Sequence, residues 1–242
     1  IVAAASIIVA LEWGCDEAYV IFLPELCKDL GWTRTVVSGA YSLGYILATT
    51  LGVAAGRLTD RYGPRLILMV SIISASLGFA LMSIIEAPWQ LYIFFGVIAN
   101  VGMGFAWVPA VSTTSRWFIR KRGMALGITE AGIGIVLLLM MPFAQFLIIK
   151  LGWRISYLIL AGLIFVIGLP LSRLMRFNPS EKGLYADGVK GITENEQNTD
   201  SKSDTADFTL KQATKTRQFW LLFFIYVISA LPFGIWIHLK AY

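Results

Sequence analysis

Apolar residues come in long blocks along this chain, and short polar breaks separate them. The blocks predict seven membrane-crossing helices, roughly 1–26, 35–56, 66–85, 89–112, 123–149, 153–174 and 218–238. About 20 apolar residues carry a helix across the hydrocarbon core. A closed barrel needs strands of about ten residues with alternating polarity. These blocks are too long and too uniform for that. Whole segments are apolar on every face, which requires lipid or protein on all sides. Polar breaks at 27–34, 86–88 and 115–122 supply the loops. The stretch 178–215 is rich in Asp, Glu, Lys, Asn, Ser and Thr. Such a segment buries too little to fold alone. It reads as a cytoplasmic connector, with 208–213 as a short surface helix. Three parts result: a six-helix transmembrane domain at 1–177, the connector at 178–217, and the first helix of a truncated second domain at 218–242. The opening at Ile1, without Met, reads as a truncated start.

Composition agrees with this pattern. The chain is 57% hydrophobic and 14% charged, whereas soluble domains are about 45–50% apolar and about 25% charged. The net charge of +5 does not indicate nucleic acid, because the basic residues sit at helix ends and in loops. They set orientation instead. With the loop at 56–65 inside, Arg57, Arg61, Arg65, Arg116, Arg120, Lys121, Arg122 and the basic residues of 173–217 share the inner side. Lys28, Arg34, Lys150, Arg154 and Lys240 fall outside. Basic residues gather on the cytoplasmic side, so the N-terminus is expected there, in the plasma (inner) membrane. Cys15 and Cys27 have no metal-ligand spacing. Catalytic, metal and cofactor sites are not expected. The chain has no Ser/His/Asp set, no nucleophile elbow and no phosphate-binding loop. These absences argue against an enzyme and against ATP-driven pumping within the chain. A sensor or receptor has no positive feature.

The run Gly56-Arg57-Leu58-Thr59-Asp60-Arg61-Tyr62-Gly63-Pro64-Arg65 packs two glycines, an aspartate and arginines between two apolar blocks. It predicts a tight charged hairpin. The glycines permit the turn, the arginines hold it inside, and Asp60 caps a helix N-terminus or pairs with an arginine. The run resembles the signature loop of the major facilitator superfamily. Other stretches narrow the resemblance: Gly31-Trp32-Thr33-Arg34, Ser38 to Leu43, Trp117 to Ile128, Ala131 to Gly134, Pro142 and Gly152-Trp153-Arg154. They look like the microbial monocarboxylate porter group with its oxalate/formate antiporter-like members. The resemblance covers nearly the whole chain. It implies an all-α integral membrane fold with an N-terminal six-helix bundle of two inverted three-helix repeats, plus the first helix of the second half. It also implies secondary transport of a small organic anion by alternating access, with the C-terminal six-helix half, a small-molecule solute and membrane lipid as partners. By the same resemblance Gly56, Asp60, Arg61, Gly63 and Arg65 form a gating motif, with Asp60 facing a helix N-terminus in the second half. Glu17 stands where the animal porters place a substrate-linked lysine.

Ionisable residues inside spans are costly and point to function. Glu12 and Asp16, four apart, share a helical face, and Glu17 is adjacent. Carboxylates this close in low dielectric do not both ionise easily, which makes a protonatable site. The other reading is a hydrated outer vestibule. Glu130 lies in the glycine-rich stretch 127–132, where it lines the cavity, snorkels inward, or pairs with Arg116 or Arg120. Asn100 is a candidate solute ligand or interhelical bridge. Tyr41, Tyr45 and Trp107 are candidate cavity residues, with plain packing as the alternative. Gly127, Gly132, Gly134 and Pro142 are expected to set helix contacts and a bend. His238 falls at the outer end of span seven. The acids leave a second function open: a proton-coupled symporter or exporter for a neutral or cationic solute.

Overall fold

The computed structural model describes residues 2–176, 214–221, 224, 225 and 228. Two compact units, Ile1–Val189 and Lys190–Tyr242, divide the chain. Every regular element among the described residues is helical. Span one is α1 (Val2–Glu17) and α2 (Tyr19–Leu30). Ala18 keeps right-handed helical angles, and its N–H still bonds the Gly14 carbonyl at 3.2 Å, so the rod runs on through the junction. The helices α3 (Arg34–Tyr62), α4 (Pro64–Met82), α5 (Pro88–Trp117) and α6 (Arg122–Ser172) come next. Gly152 (φ 79°, ψ 163°) leaves the helical region and splits α6 into limbs 122–151 and 153–172. The six blocks expected before residue 177 thus correspond to helices or limbs, with shifted ends. By length and composition, α3 to α6 can each cross a membrane.

The ends obey local chemistry. Thr33 caps α3, its hydroxyl accepting the Val36 N–H at 3.4 Å. Pro64 and Pro88 begin α4 and α5, where no helical donor is lost. Gln90 folds back to accept the N–H groups of Glu86 and Ala87 at 2.7 and 3.1 Å. The expected hairpin at 56–65 requires correction. The helix α3 continues through Gly56, Asp60 and Arg61 to Tyr62. The turn is made at Gly63 alone, whose φ of 82° favours glycine, and its N–H closes on the Thr59 carbonyl at 2.8 Å. Within that last stretch of α3, buried Thr59 satisfies its hydroxyl on the Ala55 carbonyl at 2.6 Å. One left-handed glycine then suffices to reverse the chain.

Small residues bring the backbones together, as membrane helices require in the absence of a hydrophobic drive between them. A methyl at Gly102 would sit 2.6 Å from the Ala75 nitrogen and the Ser71 carbonyl oxygen. One at Gly104 would sit 2.8 Å from the Ala48 oxygen. The helix α5 is therefore wedged between α3 and α4. Gly14 lets α1 meet Val136 of α6 in the same way. Aromatic rings fill the core above this contact: Tyr19 stacks on Phe95 at 4.0 Å and Phe22 on Tyr157 at 4.1 Å. Apolar side chains also cover the outside, with Leu138 75% and Ile149 70% exposed, as a lipid-facing or docking surface demands.

One end of the bundle is clasped by the Gly152-Trp153-Arg154 stretch. Trp153 donates its indole N–H to Asp29 at 3.0 Å. Arg154 lies over the Trp153 ring and donates to the Ser83 and Ile85 carbonyls at 3.0 and 3.2 Å. The second limb of α6 is thereby tied to α2 and to the end of α4. In the second unit, Trp220 donates to the Thr214 carbonyl at 2.9 Å. Most of the expected connector (178–217), most of span seven (218–238) and His238 lie outside the described residues.

Candidate functional site

The acids of span one are buried inside the first unit. Glu12, Asp16 and Glu17 are 2%, 3% and 7% exposed. Helical spacing puts Glu12 and Asp16 on one face of α1, and each meets a polar partner from another helix. The Ser71 hydroxyl of α4 lies 2.9 Å from both Glu12 oxygens and 2.8 Å from the Gly102 carbonyl oxygen of α5. That hydroxyl bridges three helices. The Asn100 amide of α5 lies beside Asp16 and donates to the Phe95 carbonyl at 3.0 Å. Tyr41 of α3 donates to Glu17 at 3.3 Å. Its ring stacks toward Tyr19, whose hydroxyl donates to the Val37 carbonyl at 2.8 Å. The site thus joins Glu12, Asp16, Glu17, Tyr41 and Asn100, all named from the sequence, through helices α1, α3, α4 and α5.

Other predicted residues lie elsewhere. Tyr45 is 40% exposed on α3. Trp107 packs against Trp13 of α1, with ring centroids 5.5 Å apart. Glu130 is exposed on the first limb of α6, beside Thr129. The Thr129 carbonyl accepts from Ser6 of α1. That contact sets Glu130 near the level of Ser6, about 9 Å along α1 from Glu12. The Arg116 guanidinium, considered as a partner for Glu130, holds Asp60 instead, Nη2 to Oδ1 at 3.0 Å. Beside this pair, a groove of about 480 Å³ is lined by Trp107, Val108, Val111, Ser112, Ser115, Arg116 and Arg122.

Known proteins carry the same pattern. The model of the Major Facilitator Superfamily matches residues 2–242. The chain belongs to this superfamily. It is 27% identical over 221 residues to human monocarboxylate transporter 2, covering 91% of this chain and 46% of that protein. It is 24% identical over 240 residues to the oxalate:formate antiporter of Oxalobacter formigenes, covering 95% and 54%. The inward open conformation of the xylose transporter XylE from E. coli matches with a TM-score of 0.68 at 15% identity, over 86% of this chain and 56% of that one. That likeness establishes the all-α major facilitator fold. The chain spans about half the length of the curated relatives it matches. It is a multi-pass membrane protein of a transporter family, and not an enzyme.

Several residues of this superfamily member escaped the sequence reading. Ser71 was hidden among the serines of an apolar block, and only its burial against Glu12 reveals it. Tyr157 is fully buried on the second limb of α6, and its hydroxyl has no hydrogen-bond partner among the described residues. Gly44 faces the Asn100 side chain so closely that a methyl would collide with it. Among the expected packing positions, a methyl at Gly132 would strike the Ser6 hydroxyl. At Gly127 or Gly134 it would meet nothing within 4 Å. Pro142 lies inside the first limb of α6 and removes a donor from the Leu138 carbonyl, one turn earlier.

Proposed function

We propose that residues 1–177 form the first half of a twelve-span transporter, built as two inverted three-helix repeats. Residues 178–217 form the cytoplasmic connector, and 218–242 open the second half. The N-terminus is cytoplasmic and the membrane is the plasma (inner) membrane. The solute is a small organic anion, a mono- or dicarboxylate, carried by alternating access. The observation that carries this reading is the match over 91% and 95% of the chain to relatives named for monocarboxylate and oxalate:formate transport. Gly56, Asp60, Arg61, Gly63 and Arg65 form the gating motif, a contact that one conformation makes and the other breaks: Asp60 faces a helix N-terminus in the second half, and Arg116 holds its carboxylate in place.

A second reading rests on Ser71. Its hydroxyl has one hydrogen, yet three acceptor oxygens lie within 2.9 Å. A proton on the Glu12 carboxyl completes that set. This favours proton coupling at Glu12 and Asp16, and with it a symporter or exporter for a neutral or cationic solute. Uptake of a labelled panel into proteoliposomes of the full-length protein, with and without a pH gradient, separates the two. Exchange of carboxylates without dependence on the gradient supports the anion carrier. Gradient-driven uptake of a neutral or cationic solute, with carboxylates inert, rejects it.

A further inference from the structure

We propose that the groove formed by Trp107, Ser112, Ser115, Arg116 and Arg122 is an anion site at the basic end of the bundle. A carboxylate bound there takes Arg116 from Asp60 and so opens the latch from that side. The inference rests on the carboxylate-carrier reading and adds the element through which solute reaches the gate.

The groove has the size and chemistry for this ligand. Its volume of about 480 Å³ falls within the range of small-molecule sites. Guanidinium groups come from two separate helices, Arg116 near the end of α5 and Arg122 at the first residue of α6. Arg122 sits against the positive end of its own helix, a placement that costs energy until an anion arrives. Ser112 and Ser115 also line the groove, their hydroxyls donating to the Pro109 and Val111 carbonyls and leaving oxygen lone pairs on its surface, and Trp107 forms an apolar wall. Asp60 is itself a carboxylate, held 3.0 Å from Arg116. A solute carboxylate in the groove would approach the same guanidinium. The pair is open to water, with Arg116 42% and Asp60 66% exposed. Exposed ion pairs are weak, so exchanging one carboxylate for another needs little driving force. Arriving anion and closed latch therefore compete for one cation.

The test uses the full-length protein in proteoliposomes of defined orientation, with labelled oxalate as the probe. Arg122→Gln should raise the half-saturating oxalate concentration at the basic face by roughly tenfold, the scale of one charge-assisted contact. The opposite face should stay unchanged, and Arg122→Lys should restore most of the affinity. Asp60→Asn removes the competitor and should lower half-saturation at the basic face by about threefold, the scale of an exposed ion pair, even as turnover slows. An equal change at both faces, or none, overturns the proposal. Repeating the series in pure phosphatidylcholine and with added phosphatidylglycerol separates solute from lipid headgroup. An Arg122→Gln effect confined to phosphatidylglycerol vesicles assigns the groove to lipid and rejects the solute site. If the wild type moves no carboxylate at all, the carrier reading fails. Equilibrium dialysis of oxalate against wild type and Arg122→Gln then decides the groove independently.

Discussion

Ser71→Ala tests the buried bridge. The substitution removes one oxygen and barely changes shape. It leaves the Glu12 carboxyl, 2% exposed, without its hydroxyl partner from α4, and it deprives the Gly102 carbonyl of a second partner. Interhelical hydrogen bonds in membranes average about 0.6 kcal/mol and reach about 1.7. Stranding a buried polar group costs about 1–3 kcal/mol. Ser71 serves two helices at once, so the upper part of the first range applies. We expect a loss of about 1.5 kcal/mol, a little over tenfold in the folding equilibrium. Glu12→Gln retains a donor and an acceptor at the same place and should cost less. Reversible unfolding of the full-length protein in mixed micelles measures both. The double variant should show a coupling of about 0.5–1.5 kcal/mol, since the two groups touch. If Ser71→Ala unfolds within about 0.3 kcal/mol of wild type and the coupling is zero, Ser71 does not hold Glu12, and the three-helix bridge is wrong.

Asp60→Asn should slow transport several-fold while solute still binds, as rates beside equilibrium titration will show; an unchanged rate rejects the latch. Gly102→Ala places a methyl 2.6 Å from the backbone of α4 and should cost about 2 kcal/mol or more by overpacking. Gly127→Ala meets open space and should gain up to about 1 kcal/mol from helix propensity; thermal unfolding in detergent compares the two. Arg154→Ala removes two carbonyl contacts and a stacked ring and should lose about 1–2 kcal/mol in the same assay.

The spans were legible because an apolar block of membrane length has few alternatives in water or lipid. The acids of span one were legible for the converse reason: a carboxyl inside such a block needs an explanation. The charged run at 56–65 misled. Two glycines and a proline read as a long turn, yet Gly56 is helical and Gly63 does all the turning. The glycines that matter most for packing, Gly102 and Gly104, stood out less than the cluster Gly127, Gly132 and Gly134. Spacing within one helix reports which glycines share a face, but the neighbour that needs the room belongs to another helix. Ser71 was invisible for the same reason, since serine in a membrane helix ordinarily returns its hydroxyl to its own backbone, as Ser38 does to Arg34 at 2.8 Å.

The placement of Asn100 shows why helical periodicity alone fails within α5. Residues Tyr92–Ala99 wind as a π-helix. Wider turns of this kind absorb extra residues, and each one absorbed rotates the rest of the helix by about 100° relative to an unbroken α-helix. Asn100 is the first residue after that stretch. Its backbone N–H turns to the Val97 carbonyl, while its side chain reaches the Phe95 carbonyl at 3.0 Å. The amide thus stabilises the irregular winding that aims it. The same amide lies beside Asp16, so one side chain links the wide helix to the surroundings of the buried carboxyl. A helical wheel drawn from Pro88 at 3.6 residues per turn would send Asn100 to another face. The acid on α1 and the π-helical stretch on α5 therefore meet at one side chain, the Asn100 amide.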